Sequence, residues 1–240
     1  MFKQKSLSFG TSAESSVKVL TDFTIASSPL LSAIGTLTLA TKYTHVPYVD
    51  IPAKDATEYR IGGLSTEKKM FNVSATITDE TLEDSSMELK EPLKNTIATQ
   101  ARIKLENLVL TKLRTDIVET ELLDNSDATS TILKLLEEFD PALHAANTPI
   151  VVGIAYTTYY QLLVSATSNA FVKAGLIKLA PSSGVAADEV IMVHPLGSAV
   201  GFDLSALEIE RNAGKGSQTI NAQGTYGASF APTYVKRATF

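Results

Sequence analysis

Leu89, Leu93, Ile97, Ala101, Leu105, Leu108 and Leu113 fall mostly at steps of four and three residues, the spacing that lines apolar side chains along one stripe of an α-helix. Lys90, Lys94, Gln100, Arg102, Lys104 and Glu106 fill the other faces. Pro92 sits where a first helical turn has no use for its missing N–H. The pattern predicts one helix from Glu91 to Arg114, about 35 Å long at 1.5 Å per residue. Such a helix spans a small domain from end to end. It lacks a sustained heptad repeat that would pair it in a coiled coil, so its stripe calls for a sheet alongside.

Strand signals precede it. Leu37, Leu39 and Tyr43 show a partial period of two with threonines between. Pro47 and Pro52 bracket Tyr48-Val49-Asp50-Ile51, which confines that piece to an edge strand or an exposed ribbon. Gly62-Gly63 reads as a turn or bulge. Phe71, Val73, Ala75 and Ile77 alternate with polar residues as a second strand. The two strands flank a polar tip, Ala53 to Thr66, with Lys54, Asp55, Glu58 and Arg60. A long projecting hairpin is the expectation. Residues 1 to about 22 are rich in Ser and Lys without a period and read as an extended arm.

After the helix, Asp124 to Ser130 is a polar break, and Asp127 to Ser130 offers N-caps for a helix through Ile132, Leu135, Leu136 and Phe139. Asp140-Pro141 stops it. Ile150 to Ile154 is a short apolar run of buried-strand type. Tyr156 to Val164 is helical in pattern, as is Asn169 to Ala174, closed by Gly175; Leu176 to Leu179 and Val190 to Val193 are further strands. This alternation predicts a compact α/β unit over about 125–225. Thr225 to Phe240 returns to strand-like residues around Pro232.

The residue inventory narrows the chemistry. The 240 residues include no Cys, no Trp and three His, namely His45, His144 and His194. Disulfides, thiolate zinc sites and Cys nucleophiles are excluded, and no metal site is expected of such isolated histidines. The net charge is −5 and neither half of the chain is basic, which disfavours a whole-chain electrostatic grip on nucleic acid. No run of about twenty apolar residues suggests a membrane span. The N-terminal Met1-Phe2-Lys3-Gln4-Lys5-Ser6 is not followed by an apolar run, so synthesis in the cytoplasm is the expectation. At 25.7 kDa, a compact monomer would expose about 10,000 Å².

Catalytic motifs fail on spacing. Gly214-Lys215-Gly216-Ser217 has Gly where a phosphate loop needs Ser or Thr after the Lys, and Ile209 where it needs its first Gly; a hairpin tip fits better. Gly197-Ser198-Ala199-Val200-Gly201 places Ser one position early for a nucleophile elbow, and His194 before Pro195 reads as the end of a strand. Asp79-Glu80, Glu83-Asp84 and Glu137-Glu138 lack the aromatic surroundings of a sugar cleft and fit helix starts or solvated faces. Asn72-Val73-Ser74 matches a glycosylation sequon without a secretory context. No catalytic, cofactor or metal residue is assigned. The arm and the hairpin bury little within one subunit, which points to an assembly-forming protein.

The ordered set of elements resembles the major capsid proteins of tailed bacteriophages, the Hong Kong 97-type capsid fold. Thr76-Ile-Thr-Asp-Glu-Thr-Leu-Glu-Asp-Ser85 ahead of the long helix resembles that family's passage from projecting loop to spine helix. Pro149 to Tyr156 followed by Tyr160-Gln-Leu-Leu163, then Val190 to Ala199, and finally Gly224-Thr-Tyr226 through Ala238, resemble its later strands, helix and closing strands. The resemblance implies an α+β fold. Its parts would be an N-terminal arm (1–30), an extended loop with flanking strands (31–78), a peripheral domain with the spine helix (79–124), an axial domain (125–225) and return strands of the peripheral domain (226–240). It implies a homo-oligomeric icosahedral shell of pentamers and hexamers around phage double-stranded DNA, without sequence-specific binding, assembled in the bacterial cytoplasm.

In that reading the extended loop lies over a neighbouring subunit, and Lys54, Asp55, Glu58, Arg60, Gly62, Gly63, Glu67 and Lys68 are its candidate contact residues. With only a short arm ahead of the body, scaffolding would come from a separate protein, alongside a portal. Lys54, Lys68 and Lys69 lie where some members carry a crosslinking lysine, but nothing in the spacing singles one out. An encapsulin-type compartment subunit, a tail-tube or other virion protein, and an enzyme with an unrecognised site are the alternatives.

Overall fold

The apolar stripe forms its helix almost where the spacing places it. In a computed structural model, which describes residues 28–34, 43–50, 60–78, 90–122, 126–140, 143, 148–212 and 214–240, the helix runs over Lys90–Asp116, 27 residues and about 40 Å. In chain order the elements are α1 (Pro29–Ile34), β1 (Tyr43–Asp50), β2 (Arg60–Glu67), β3 (Lys69–Thr78), α2 (Lys90–Asp116) and α3 (Ala128–Glu137). Then come β4 (Ile150–Ile154), α4 (Tyr156–Leu163), α5 (Ala166–Lys173), β5 (Ile177–Pro181), β6 (Glu189–Val193), β7 (Ser198–Asn212), β8 (Ser217–Phe230) and β9 (Val235–Thr239), with a 3₁₀ turn at Pro195–Gly197 between β6 and β7.

Three sheets organise these elements. β1 and β2 form a separate two-stranded ribbon; β3-β8-β7 is antiparallel; the third has the order β5-β4-β6-β9. In the last, β4 and β5 are parallel while β4–β6 and β6–β9 are antiparallel. The spine helix α2 lies on the three-stranded sheet. Ile97, Ala98, Ala101, Leu105 and Val109 share one buried cluster with Phe71, Val73, Phe202, Ile220 and Ala222. Alternation explains β3: Phe71 and Val73 are buried, whereas Asn72, Ser74 and Thr76 are exposed.

The four-stranded sheet is covered on both faces, which is why β4 and β6 read as unbroken apolar runs. Val151, Ile191 and Val193 face the cluster containing α1 and α2. Val152, Ile154, Val190 and Met192 face a second cluster with Ile132, Leu135 and Leu136 of α3 and Leu162 of α4. Predicted caps are in place: the Asp127 carboxylate accepts from the Ser130 N–H at 2.9 Å and α3 starts there, while Gly175 follows α5 at φ +72°. Gly214 to Gly216 turns β7 into β8 with Gly216 at φ +56°, so that motif is the expected hairpin tip.

Several expectations are corrected by the pairing. The partner of β1 is not Phe71–Ile77 but Arg60–Glu67, inside the supposed tip. Phe71–Ile77 belongs to β3, which pairs with β8 from Lys69↔Tyr226 to Thr78↔Ser217. Gly62 and Gly63 are not a turn or bulge: they continue β2 in unbroken register opposite Tyr48 and Pro47. Residues 125–225 do not stay in one sheet, because the 3₁₀ turn redirects the chain after β6 and sends β7 and most of β8 back across α2. Conversely β9, within the expected 226–240 return to the spine-helix lobe, adds to β6. The expected arm, residues 1–30, ends inside the core, where Ser28, Leu30 and Leu31 are buried; its residues 1–27 lie outside the described residues.

Candidate functional site

The extended ribbon is the site singled out from the sequence. Its register is continuous from Tyr43↔Glu67 to Asp50↔Arg60, so it reaches about 24 Å at 3.4 Å per residue. Pro47 is tolerated because a two-stranded ribbon leaves one side of each strand without a ladder. A hairpin of two strands alone is marginal in water. Here its base is anchored: Leu64 is buried in the second cluster and Thr66 is buried beside it in the alternation, while Ser65 and Glu67 are exposed.

Of the candidate contact residues, Lys54, Asp55 and Glu58 lie outside the described residues. Arg60 opens β2 opposite Asp50, Gly62 is half-buried, Gly63 and Glu67 are exposed, and Lys68 joins β2 to β3. The described ones are strung along one strand rather than gathered into a cluster. A Cβ built on Gly63 would meet nothing within 4 Å, so no contact inside the subunit requires that glycine.

The features that hold the body rigid beneath the ribbon were not legible in the sequence. At the end of α2, Arg114 donates to Glu189 of β6 through Nε at 3.0 Å and Nη2 at 2.5 Å, and to the Gly184 carbonyl at 2.9 Å. The hydrogen bond from Glu189 raises the Arg114 pKa above its ordinary value; burial opposes this and the Glu189 charge adds to it. Arg237 of β9 lies 3.8 Å from the same carboxylate and 3.4 Å from Glu119, and donates to the Ile117 carbonyl at 2.9 Å. This network ties the spine helix to the four-stranded sheet.

A second polar cluster lies midway along the helix. Glu106 is 3% exposed and its carboxylate accepts from the Ser28 hydroxyl at 2.6 Å and the Ser182 hydroxyl at 2.7 Å. Ser28 Oγ in turn accepts from the Leu31 N–H at 3.0 Å and so caps α1. One carboxylate thereby joins α1, α2 and the segment after β5.

The residues once weighed for catalysis are occupied with backbone. Ser198 Oγ donates to the Pro195 carbonyl at 3.1 Å, and His194 Nδ1 accepts from the Leu196 N–H at 3.3 Å. Among the described residues no three His, Asp or Glu converge as metal ligands.

The backbone arrangement is shared with solved capsid structures over nearly the whole chain. A virus-like particle from Pyrococcus furiosus superposes with a TM-score of 0.66 at 14% identity, covering 94% of this chain and 98% of that one. The procapsid of satellite phage P4, which includes the size determination protein, gives 0.63 at 11%, covering 92% and 98%. The capsid of an empty GTA particle gives 0.61 at 10%, covering 100% and 95%. The chain has a Hong Kong 97-type capsid fold. At the level of sequence, no family model matches it and no curated protein does. That fold contains a projecting ribbon, a spine helix on a sheet and a second sheeted lobe, the parts described above.

Proposed function

We propose that this chain is the major capsid protein of a tailed phage, a non-enzymatic subunit whose copies form an icosahedral shell of pentamers and hexamers around double-stranded DNA. The observation that carries this reading is the near-complete two-way coverage of the capsid structures, which leaves little of either chain for another activity. The acidic balance of −5 suits a container that must release its DNA. Assembly would take place in the bacterial cytoplasm with a separate scaffolding protein and a portal, and the product would reside in the virion. Lys54, Asp55, Glu58, Arg60, Gly62, Gly63, Glu67 and Lys68 would contact the neighbouring subunit through the ribbon.

The test follows the register. Replacing residues 47–63 by Asn-Gly keeps the Val46↔Leu64 pair and closes the ribbon with a favoured two-residue turn. The shortened subunit should melt close to the parent and form no particles in negative stain, whereas the parent forms shells tens of nanometres across when expressed with its scaffold. A parent that stays monomeric under all assembly conditions would contradict the shell. Normal shells from the shortened chain would contradict the role given to the ribbon.

A further inference from the structure

Between Asp140 and Lys173 the chain has no Asp, Glu, Lys or Arg, the longest such interval in a protein of which 20% is charged. Part of that interval is core, as in β4, all of whose residues are buried. The helix that follows is not. On α4, Tyr156, Tyr160, Leu163 and, at its C-cap, Val164 fall at helical spacing, and they are 40%, 63%, 44% and 85% exposed. Tyr160 is held by an edge-to-face contact with Tyr159 at 5.7 Å, and Tyr159 packs on the second cluster. Val172 of α5 adds another 40% exposed apolar side chain. Beside α4, an apolar groove of about 420 Å³ opens between Leu133 of α3 and Phe171 and Leu176.

These exposed side chains present on the order of 500 Å², at the upper end of the apolar patches that monomers show. That is more than half of the roughly 800 Å² each partner gives to a standard interface. Depletion of charge and enrichment in tyrosine mark interface centres rather than free surface. The absence of charge also selects the occupant. Where identical copies meet around a rotation axis, any charge on the meeting surface is brought up to its own replicas and repels them. A foreign partner could instead match charges on this face with opposite ones, and none is there to match.

Resting on the shell reading above, we infer that the α4 face is where copies of this chain meet one another around a rotation axis. The ribbon and this face are then two separate contacts, on different elements, with different chemistry. Val164 is the sharpest probe, because its exposure means that a substitution there spares the subunit's own core.

Val164→Glu, Val164→Lys, Tyr160→Lys and the uncharged Val164→Thr would be expressed alongside the parent. Circular dichroism and melting check the fold, electron microscopy scores shells, and analytical ultracentrifugation scores rings and smaller oligomers. All three charged variants should fold as the parent does and lose assembly by about tenfold or more, whichever sign is introduced, as a charge forced into a desolvated contact requires. Val164→Thr should assemble. Charged variants that assemble like the parent overturn the inference while the shell reading stands. Parent oligomers without shells, abolished by Val164→Glu, would sink the shell reading and keep the inference. A parent that is monomeric throughout overturns both.

Discussion

Glu189 receives Arg114 from the spine helix and faces Arg237 from the last strand, and its side chain is only 5% exposed. Removing one member of a buried charge set leaves the others desolvated and unmatched. Glu189→Ala should therefore cost about 3 kcal/mol, toward the low end for buried pairs because Arg114 is 33% exposed. Urea unfolding of the subunit checks this, and a loss below about 1 kcal/mol would mean that water screens the network. Glu106 separates charge from hydrogen bonding. Glu106→Gln keeps an acceptor for one serine hydroxyl and gives an N–H to the other oxygen, so it should cost under about 1 kcal/mol, whereas Glu106→Ala should cost about 3. The same titration reads both, and equal losses would show that the negative charge itself is required. Neither cluster could be found in the sequence. Glu189 is separated from Arg114 by 75 positions and Glu106 from Ser28 by 78, and no periodicity links residues that far apart.

Elements whose determinants are local were legible. The stripe of α2 is written in consecutive turns, and the cap of α3 in four residues: Asp127 accepts from the Ser130 N–H, and Ser130 Oγ lies 3.4 Å from the Asp127 N–H. Asp127→Ala should lower stability by about 1 kcal/mol, measured as a shift in melting temperature, and Asp127→Asn by much less. Strands were found more easily than their partners. Phe71 to Ile77 alternates as a strand must, but alternation says nothing about which strand lies alongside. Its true partner, Ser217–Phe230, is far along the chain. Gly62-Gly63 carries the composition of a turn, yet both residues sit in β2, where glycine is merely permitted. β7 was missed because Pro195 and the glycines around it suggested a loop, and these in fact build only the 3₁₀ turn before a 15-residue strand. Gly197 has a reason of its own. A Cβ there would overlap Tyr234, and both residues are buried. Gly197→Ala should cost about 2 kcal/mol or more through overpacking, seen as a lower urea midpoint.

At the scale of the whole molecule, the capsid resemblance was legible because it rests on the order of elements, which survives when identity falls to 10–14%. The division into lobes was harder, since the chain crosses between sheets at the 3₁₀ turn and again between β8 and β9. The subunit exposes 13095 Å², against about 10,000 Å² for a compact monomer of 25.7 kDa. The excess is surface that a neighbour can cover. Burial of that surface in an assembly stabilises the folded subunit by mass action, because the contacts exist only in the native state. Subunits in shells should therefore melt higher than free subunits at the same chain concentration, and the melting temperature of a partly assembled sample should rise with concentration. Calorimetry on separated shells and subunits measures the difference. Shells that melt with their free subunits would mean that the excess surface stays wet in the assembly and that the contacts are too weak to enclose a pressurised genome.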